Sequence, residues 1–85
     1  LMARLLKADI EALKDLHGDG FTFLARDENG KLWAFMDEHI GDIEKEDGIW
    51  ICEDYCKSIS KKLFKFIKWE DEKPTSIAEL MKEVK

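Results

Sequence analysis

The chain has 85 residues, of which 45% are apolar and 39% are charged, and its formal net charge is −5. This length suits one small domain, residues 1–85, and the acidic balance argues against the broad positive surface of a duplex-binding protein. Two cysteines are too few for a disulfide framework, and no apolar run reaches the ~20 residues that span a membrane. The composition therefore predicts a cytoplasmic protein with reduced thiols and no membrane contact.

The charges are divided into two neighbouring blocks. Residues 37–54 hold eight acidic residues against one lysine, whereas residues 57–68 hold five lysines and no acid. Such blocks can attract each other within one molecule or across a dimer. This asymmetry is the most informative feature of the composition.

Residues 2–17 are predicted to form an amphipathic helix. Apolar side chains recur there at three- and four-residue spacing and form one stripe. Gly18 stands where a left-handed C-cap would end the helix. The stripe consists of Met2, Leu6, Ile10, Leu13, and Leu16 or His17.

Residues 21–37 predict a β-hairpin that turns at Asn29-Gly30, because both residues tolerate the positive φ of tight turns. Two registers fit. A two-residue loop pairs Arg26 with Trp33, whereas a three-residue loop with Gly30 as the bulge pairs Ala25 with Trp33. The second register is favoured because it collects four aromatic residues on one core face. These are Phe21, Phe23, Trp33 and Phe35.

The opposite face of this hairpin is also apolar in the favoured register, since it carries Leu24, Leu32 and Met36. A half-exposed antiparallel sheet normally has a polar outer face. Two explanations stay open: the hairpin is covered on both sides within the chain, or this face binds a partner. The three residues are therefore candidate interaction residues.

Three segments follow the hairpin. The acidic, glycine-marked residues 38–48 are predicted to form a loop, which allows one short helical turn at 42–45. Residues 49–52 predict a third strand, too continuously apolar to be half exposed. Residues 55–60 predict a fourth short strand.

Two further elements are predicted in the C-terminal third. Residues 61–69 favour a short helical turn, capped by Ser60, followed by an extended piece. After a break at 70–74, residues 75–84 predict a second helix, in which Ser76 and Glu79 have capping-box spacing. Its apolar stripe consists of Ile77, Leu80, Met81 and Val84.

The chain offers few residues for catalysis or metal binding. Cys52 and Cys56 are four residues apart, but a structural zinc site needs four ligands and no second pair exists, so they are interpreted as half-buried apolar side chains. Asp71-Glu72-Lys73 has the spacing of a Mg²⁺-dependent nuclease motif, which so charged a chain produces by chance. The sequence shows no phosphate-binding glycine loop and no nucleophile elbow. It therefore predicts no enzymatic activity, no metal and no cofactor.

The lysine-rich segment 57–69 is the strongest binding signal. Its lysines are interleaved with aromatic residues, and cations beside aromatic rings are what single-stranded nucleic-acid binding uses. In the alternative, Phe64, Phe66 and Trp69 belong to the core, while the lysines solvate the segment or pair with the acidic block. The candidate contact residues are Lys61, Lys62 and Lys65.

Two stretches resemble parts of small phage proteins. Residues 23–27 and 30–35, Phe-Leu-Ala-Arg-Asp and Gly-Lys-Leu-Trp-Ala-Phe, resemble a hairpin in short products encoded by phages and prophages of Gram-positive bacteria. Residues 66–75, Phe-Ile-Lys-Trp-Glu-Asp-Glu-Lys-Pro-Thr, resemble an ending found in the same proteins and are the more specific stretch. The resemblance implies a phage-borne accessory protein of the host cytoplasm, and it implies no activity, ligand or functional residue.

Together these patterns predict an α+β domain, with a three- to four-stranded antiparallel sheet and the N-terminal and C-terminal helices packed on one face. The predicted function is that of a non-enzymatic interaction protein. It forms a homodimer, or binds an unidentified protein, through the second face or a strand edge of the hairpin. Two alternatives stay open: single-stranded nucleic-acid binding through 57–69, and an acidic anti-defence protein that mimics nucleic acid.

Overall fold

The computed structural model describes residues 4–84, and within them the chain forms two α-helices and six β-strands. In chain order these are α1 (Lys7–Gly18), β1 (Phe23–Arg26), β2 (Leu32–Phe35), β3 (Glu44–Glu46), β4 (Ile49–Ile51), β5 (Cys56–Ile59), β6 (Thr75–Ser76) and α2 (Ile77–Met81). A short 3₁₀ helix, Ile40–Asp42, precedes β3.

A four-stranded antiparallel sheet forms the centre of the fold, with the strand order β5-β2-β1-β6. Strands β3 and β4 form a separate two-stranded antiparallel sheet. Helices α1 and α2 contact each other and enclose one hydrophobic core with one face of the four-stranded sheet. The predicted α+β class, antiparallel sheet and two terminal helices are thus confirmed. No helix among residues 4–84 is long and apolar enough to cross a membrane.

Helix α1 begins later than the sequence predicts, at Lys7. The Asp9 carboxylate closes its first turn, because Oδ2 accepts a hydrogen bond from Leu6 N at 3.0 Å. Leu6 is 66% exposed, so it does not belong to the apolar stripe in which it was predicted. The predicted start of the stripe, Met2, lies outside the described residues.

The end of α1 also differs from the prediction. Gly20 (φ +93°), rather than Gly18, takes the left-handed position. Gly20 N donates to His17 O, and Phe21 N donates to Leu16 O, which together make a Schellman motif. The motif brings Phe21 into the helical core beside Leu16, and Phe21 therefore does not join the other aromatic residues of the hairpin.

The three-residue loop between β1 and β2 is confirmed. Ala25 lies opposite Trp33, and Asp27 N donates to Lys31 O at 2.8 Å. Gly30 has a φ of +92°, which is the conformation required at the bulge position of such a loop. The aromatic residues of the two strands consequently share one face of the sheet.

Both faces of this hairpin are covered within the chain. Leu24 and Leu32 lie on the helical face and are completely buried, and Met36 is partly buried against the same core. These residues are therefore part of the core, which corrects their interpretation as an interaction surface. On the other face, Phe35 packs in a second core with Trp50 of β4.

The acidic stretch 38–48, predicted to be a loop, contains one strand of a second hairpin. Asp47 (φ +53°) and Gly48 (φ +86°) connect β3 to β4, and positive φ at both positions is typical of a type I′ turn. Strand β4 buries Trp50 but leaves Ile49 and Ile51 44% and 41% exposed, so the prediction of a fully buried strand is wrong. The reason is that β4 pairs with the charged strand β3 and not with the central sheet.

Residues 60–71 form three successive turns in place of the predicted helical turn and extended piece. Backbone hydrogen bonds from the fourth residue to the first close the turns 60–63, 64–67 and 68–71. Ser60 does not cap a helix, because its Oγ accepts a hydrogen bond from Lys62 N inside the first turn.

Helix α2 is shorter than predicted because Thr75 and Ser76 pair with β1 as strand β6. The predicted cap is present, since Ser76 Oγ accepts a hydrogen bond from Glu79 N at 3.2 Å. The predicted apolar stripe also packs into the helical core. The C-terminal segment thus serves as both an edge strand and a core helix.

Candidate functional site

The structure contains two surfaces with the character of binding sites and a third that collects acidic residues. The first, which we call the basic groove, is an open groove of ≈ 560 Å³ between the tip of the β1–β2 hairpin and the turns 60–71. Four exposed lysines line it: Lys61, Lys62, Lys65 and Lys68. The structure thus brings together the three lysines predicted from the sequence and adds a fourth.

Arg26, at the end of β1, holds these turns in place. Its guanidinium donates to five backbone carbonyl oxygens: Nε to Ile67 (2.7 Å), Nη1 to Gly30 (2.8 Å) and Lys61 (3.2 Å), and Nη2 to Leu63 (2.9 Å) and Phe64 (3.0 Å). A guanidinium has five N–H donors, so every one is used. This role of Arg26 could not be predicted, because backbone carbonyl groups as far as 41 positions away leave no pattern in the sequence.

Asp9 anchors the second turn from the side of α1. Its buried carboxylate accepts a hydrogen bond from Phe64 N at 2.9 Å through Oδ1, while Oδ2 caps the helix. Phe64 is held at a φ of +49°, a left-handed conformation that is unfavourable for an aromatic residue. The first two turns are therefore fixed by the Arg26 side chain from the sheet and the Asp9 side chain from the helix.

The positive charge of the basic groove is not neutralised by ion pairs. Those formed within residues 4–84, Arg4–Glu83 and Glu79–Lys82, do not include the groove's lysines. Partial burial lowers the pKa of the Arg26 guanidinium from its ordinary value, but the group stays charged at neutral pH. Five positive groups, Arg26 and the four lysines, face three acids, Asp27, Glu28 and Glu70, which leaves a local balance of +2.

The aromatic residues of the segment 57–69 are turned toward the protein. Phe64 is completely buried, and Phe66 packs against the helical core with the Arg4 guanidinium 4.3 Å from its ring centroid. Trp69, which also lines the groove, lies edge-on against Trp50 with the ring centroids 6.2 Å apart. A ligand in the basic groove would therefore meet ammonium groups more than stacking surfaces.

The second surface, which we call the apolar groove, lies on the side of the sheet opposite the helices. It has a volume of ≈ 450 Å³ and is formed by residues of β2, β4 and β5. Its apolar and sulfur-containing members are Trp33, Ile49, Trp50, Ile51, Cys52 and Cys56. The groove could not be predicted from the sequence, because the continuously apolar strand that forms one of its walls has the pattern of a fully buried strand.

Strand β5 presents an open edge beside the apolar groove. Met36 N donates to Tyr55 O, so Tyr55 and every second residue after it direct their backbone groups toward β2. The backbone groups of Cys56 and Ser58 consequently point away from the sheet, and no other strand of the described chain pairs with this edge. The Lys57 ammonium lies 5.0 Å from the ring centroid of Phe21, on the helical face.

Asp27 joins the two hairpins at the base of the apolar groove. This buried carboxylate accepts hydrogen bonds from Trp50 N and from Trp33 Nε1, both at 2.9 Å. The Trp50 indole donates in turn to Arg26 O at 3.1 Å. One side chain thus connects the second hairpin to the tip of the first.

Cys52 follows β4 and Cys56 begins β5, and both are half-buried against the second core, in keeping with their interpretation as apolar side chains. Burial, together with a hydrogen bond to the Cys56 thiol and the charge of Asp37, raises the pKa of Cys52 to about 12. The Cys52 thiol is therefore protonated at neutral pH. Among residues 4–84, no group of three His, Cys, Asp or Glu side chains could hold a metal ion.

The third surface is an acidic pocket of ≈ 230 Å³. It is lined by Asp37, Glu38, His39, Asp42, Glu53 and Asp54. Asp37 is buried, and its Oδ2 accepts hydrogen bonds from Glu53 N (2.8 Å) and Asp54 N (3.1 Å). The acidic block of the sequence is therefore partly used to hold the loop between β4 and β5.

Comparisons of the chain with protein-family models, with curated proteins and with solved structures found no match. The resemblance to small phage proteins stays a prediction. The functional proposals therefore depend on the surfaces described above.

Proposed function

We propose that this protein is a non-enzymatic interaction module that self-associates, two copies joining edge to edge along β5. The observation that carries the proposal is the open backbone edge at Cys56 and Ser58. An unpaired strand edge is a template for pairing with another strand. The proposal moves self-association away from the buried face of the first hairpin to a strand edge.

The charges on either side of β5 are self-complementary. Glu53 and Asp54 precede the strand, whereas Lys61 and Lys62 follow it. In an antiparallel pair of β5 strands with Ser58 opposite its own copy, the end of one strand that follows Asp54 lies beside the end of the other strand that precedes Lys62, so we expect these two side chains to approach each other just outside the paired strands. Each dimer would contain this pair twice, which favours a second copy of this chain as the occupant of the edge.

The same register avoids a repulsive contact at the centre. A pair centred on Lys57 would place two ammonium groups directly opposite each other, and like charges in that position are destabilising. With Ser58 at the centre, Lys57 lies opposite Ile59 of the second copy. The side chains of β5 therefore favour one alignment of the two strands.

Apolar surface beside the edge would add to the interaction. The apolar groove reaches β5 at Cys56 and exposes Ile49 and Ile51 of β4. A second copy along the edge would cover part of this groove, and burial of apolar surface contributes about 25 cal/mol per Å². The backbone hydrogen bonds and charge pairs would set the alignment.

Charge reversal across the interface tests the proposal. Sedimentation velocity should find the unmodified protein dimeric at micromolar concentration. Asp54→Lys and Lys62→Asp should each weaken the dimer by on the order of tenfold, because each variant creates two like-charge pairs. An equal mixture of the two variants should regain the original affinity, since every lysine in the mixed dimer would face an aspartate.

A matched pair of substitutions provides the control. Ile51 is 41% exposed in the apolar groove, and Ile40 is 40% exposed in the 3₁₀ helix, outside that groove. Ile51→Glu should lower the dimer affinity, whereas Ile40→Glu should leave it unchanged. A monomeric unmodified protein, or a mixture of the two charge variants that stays monomeric, would contradict the proposal.

The wider biological role is proposed from the sequence. The stretches at 23–35 and 66–75 that resemble phage proteins support an accessory role in the cytoplasm of a phage-infected host. The genes on either side of the coding sequence provide the test, because phage genomes group functions. Neighbours without phage character would contradict this role without affecting the self-association proposal.

A further inference from the structure

We infer that the basic groove binds a chain of phosphates. This site shares Lys61 and Lys62 with the segment that follows β5, but its other two lysines, Lys65 and Lys68, lie in the second and third turns of the segment 60–71 and have no part in the proposed dimer contact. The inference does not depend on self-association.

The groove is preorganised by contacts that involve no ligand. Arg26 uses all five donors on backbone carbonyls, and Asp9 accepts from Phe64 N, so the backbone that carries the lysines is held from two sides. The third charged group at the base, Asp27, is occupied by two donors from the second hairpin. These groups hold the lysines in position, and the lysines themselves are free to contact a ligand.

The charge arrangement favours an anion. A guanidinium that bonds only to neutral carbonyls stands beside four lysines without an ion pair, in a chain whose net charge is −5. These five positive groups outnumber the three acids that line the same groove, and a bound polyanion would balance the excess. Specific hydrogen bonds from Arg26 and Asp9 hold the backbone of this positively charged segment, which supports a binding role.

The spacing of the lysines favours a linear ligand. Lys61 and Lys62 lie on the first turn, Lys65 on the second and Lys68 on the third, so each successive turn presents an ammonium group. Lysine binds phosphate as a point charge. Because Phe64 is buried, Phe66 packs against the core and Trp69 lies edge-on against Trp50, the affinity would come mainly from phosphate contacts, with little dependence on bases.

Two sources supply consecutive phosphates: a short free polyphosphate and the backbone of single-stranded nucleic acid. A volume of ≈ 560 Å³ is within the range of small-molecule sites, and its open form also admits a strand that extends beyond it. Fluorescence anisotropy with a labelled oligothymidylate of about 12 nucleotides measures the binding of single-stranded nucleic acid. Competition by unlabelled tripolyphosphate measures the binding of free polyphosphate.

The salt dependence gives a quantitative expectation. Each phosphate contact contributes about −0.7 to the slope of log K against log salt for a single strand, so four contacts give about −2.8. Affinity should therefore fall about 50-fold between about 50 mM and about 200 mM salt. Removal of two contacts with Lys65→Gln/Lys68→Gln should halve the slope and reduce the loss to about sevenfold.

A control variant that loses the same two positive charges elsewhere distinguishes binding at the groove from a general effect of net charge on affinity. Lys7 and Lys14 are exposed on α1 and do not line the basic groove. Lys7→Gln/Lys14→Gln should leave affinity and slope within error of the unmodified protein. Circular dichroism of both double variants checks that the fold is intact.

Each outcome decides the inference. If tripolyphosphate displaces the oligonucleotide at a similar phosphate concentration, the site is one that free polyphosphate can fill. If the oligonucleotide binds and tripolyphosphate does not displace it, the result supports a nucleic-acid strand as the ligand. Absence of binding at about 50 mM salt would overturn the inference. An equal loss of oligonucleotide affinity in the two double variants would overturn the inference. It would also be overturned if oligoglutamate displaced the oligonucleotide as strongly as tripolyphosphate does.

Discussion

The two hairpins of this protein turn at similar dipeptides, Asn29-Gly30 and Asp47-Gly48, yet they differ in geometry and environment. In the first, Gly30 supplies the left-handed residue of a three-residue loop, whereas in the second both Asp47 and Gly48 have a positive φ. The first hairpin is covered on both faces. The second presents charged residues in β3 and two exposed isoleucines in β4.

The difference shows how a turn signal depends on the strands beside it. Aromatic residues flank Asn29-Gly30 at alternate positions, which makes the hairpin pattern clear. The strand before Asp47-Gly48 reads Glu-Lys-Glu and has no apolar side chain to bury. It forms because β4 supplies Trp50 for the core and Asp27 accepts the Trp50 N–H. The second hairpin therefore depends on the first.

The largest effect is expected from removing the connection between the hairpins. Asp27→Ala would leave the buried Trp50 N–H and the part-buried Trp33 indole N–H without their acceptor. A buried unpaired donor costs about 1–3 kcal/mol, and the part-buried indole should add a smaller amount. Urea unfolding followed by tryptophan fluorescence measures the loss. Asp27→Asn keeps one acceptor oxygen and should cost less.

Glu28→Ala is the matched control, because Glu28 is the neighbouring acid and is exposed. It should change the free energy of unfolding by less than about 0.5 kcal/mol. If Asp27→Ala behaved like Glu28→Ala, the connection between the hairpins through this carboxylate would be wrong.

A smaller effect is expected at the two turn glycines. A Cβ at Gly30 would meet no atom within 4 Å, and a Cβ at Gly48 would lie 2.9 Å from the movable end of the Glu28 side chain. The left-handed φ costs an alanine roughly 1–2 kcal/mol at either position. Gly30→Ala should lower the global free energy of unfolding by that amount, because the first hairpin lies in the central sheet.

Gly48→Ala should mainly destabilise the second hairpin locally. Hydrogen exchange should become faster at the amides of Ile49 and Ile51, which face β3, with a smaller change in the urea midpoint. Equal shifts of the midpoint in both variants would show that the two hairpins unfold as one unit.

The smallest effect concerns the reactivity of Cys52, which follows the second hairpin. The pKa of Cys52 is about 12, against an ordinary value of 9.0. Near neutral pH, the fraction of this cysteine present as thiolate is therefore on the order of 1000-fold lower than for an ordinary cysteine. Alkylation by iodoacetamide should therefore be slow in the folded protein and fast in urea, as measured by mass spectrometry. Equally fast labelling in both states would contradict the raised pKa of this half-buried thiol.

The raised pKa of Cys52 also determines how the stability of the protein changes with pH. The folded pKa of Cys52 is raised above its ordinary value of 9.0, so its contribution to stability is fully present below pH 9.0. That contribution is lost as the pH rises from 9.0 toward about 12. Cys52→Ala should remove this part of the alkaline destabilisation.

Several features of the fold and the candidate site could be predicted because their causes lie close together in the sequence. The register of the first hairpin follows from Gly30, and the start of α2 follows from the spacing of Ser76 and Glu79. The clustering of Lys61, Lys62 and Lys65 follows from their proximity along the chain. The Asp47-Gly48 signal was also present, but its charged flanking strand concealed it.

The remaining features depend on which distant segment covers each local element. The sequence shows that Leu24, Leu32 and Ile51 are apolar, but not that two of them lie beneath helices while the third is exposed. It shows Arg26 in a strand, but not that four of its five hydrogen bonds hold a lysine-rich segment 35 to 41 positions away.

The sequence by itself thus determined the turn and register of the first hairpin, the cap of α2 and the charge blocks, since each of these depends on residues that are close together in the chain. Only the tertiary structure decided which apolar faces are buried, which strand edge stays open and which lysines share a groove. Burial and hydrogen bonding between distant segments are properties of the packed chain. The two surfaces proposed here for binding were decided at that level.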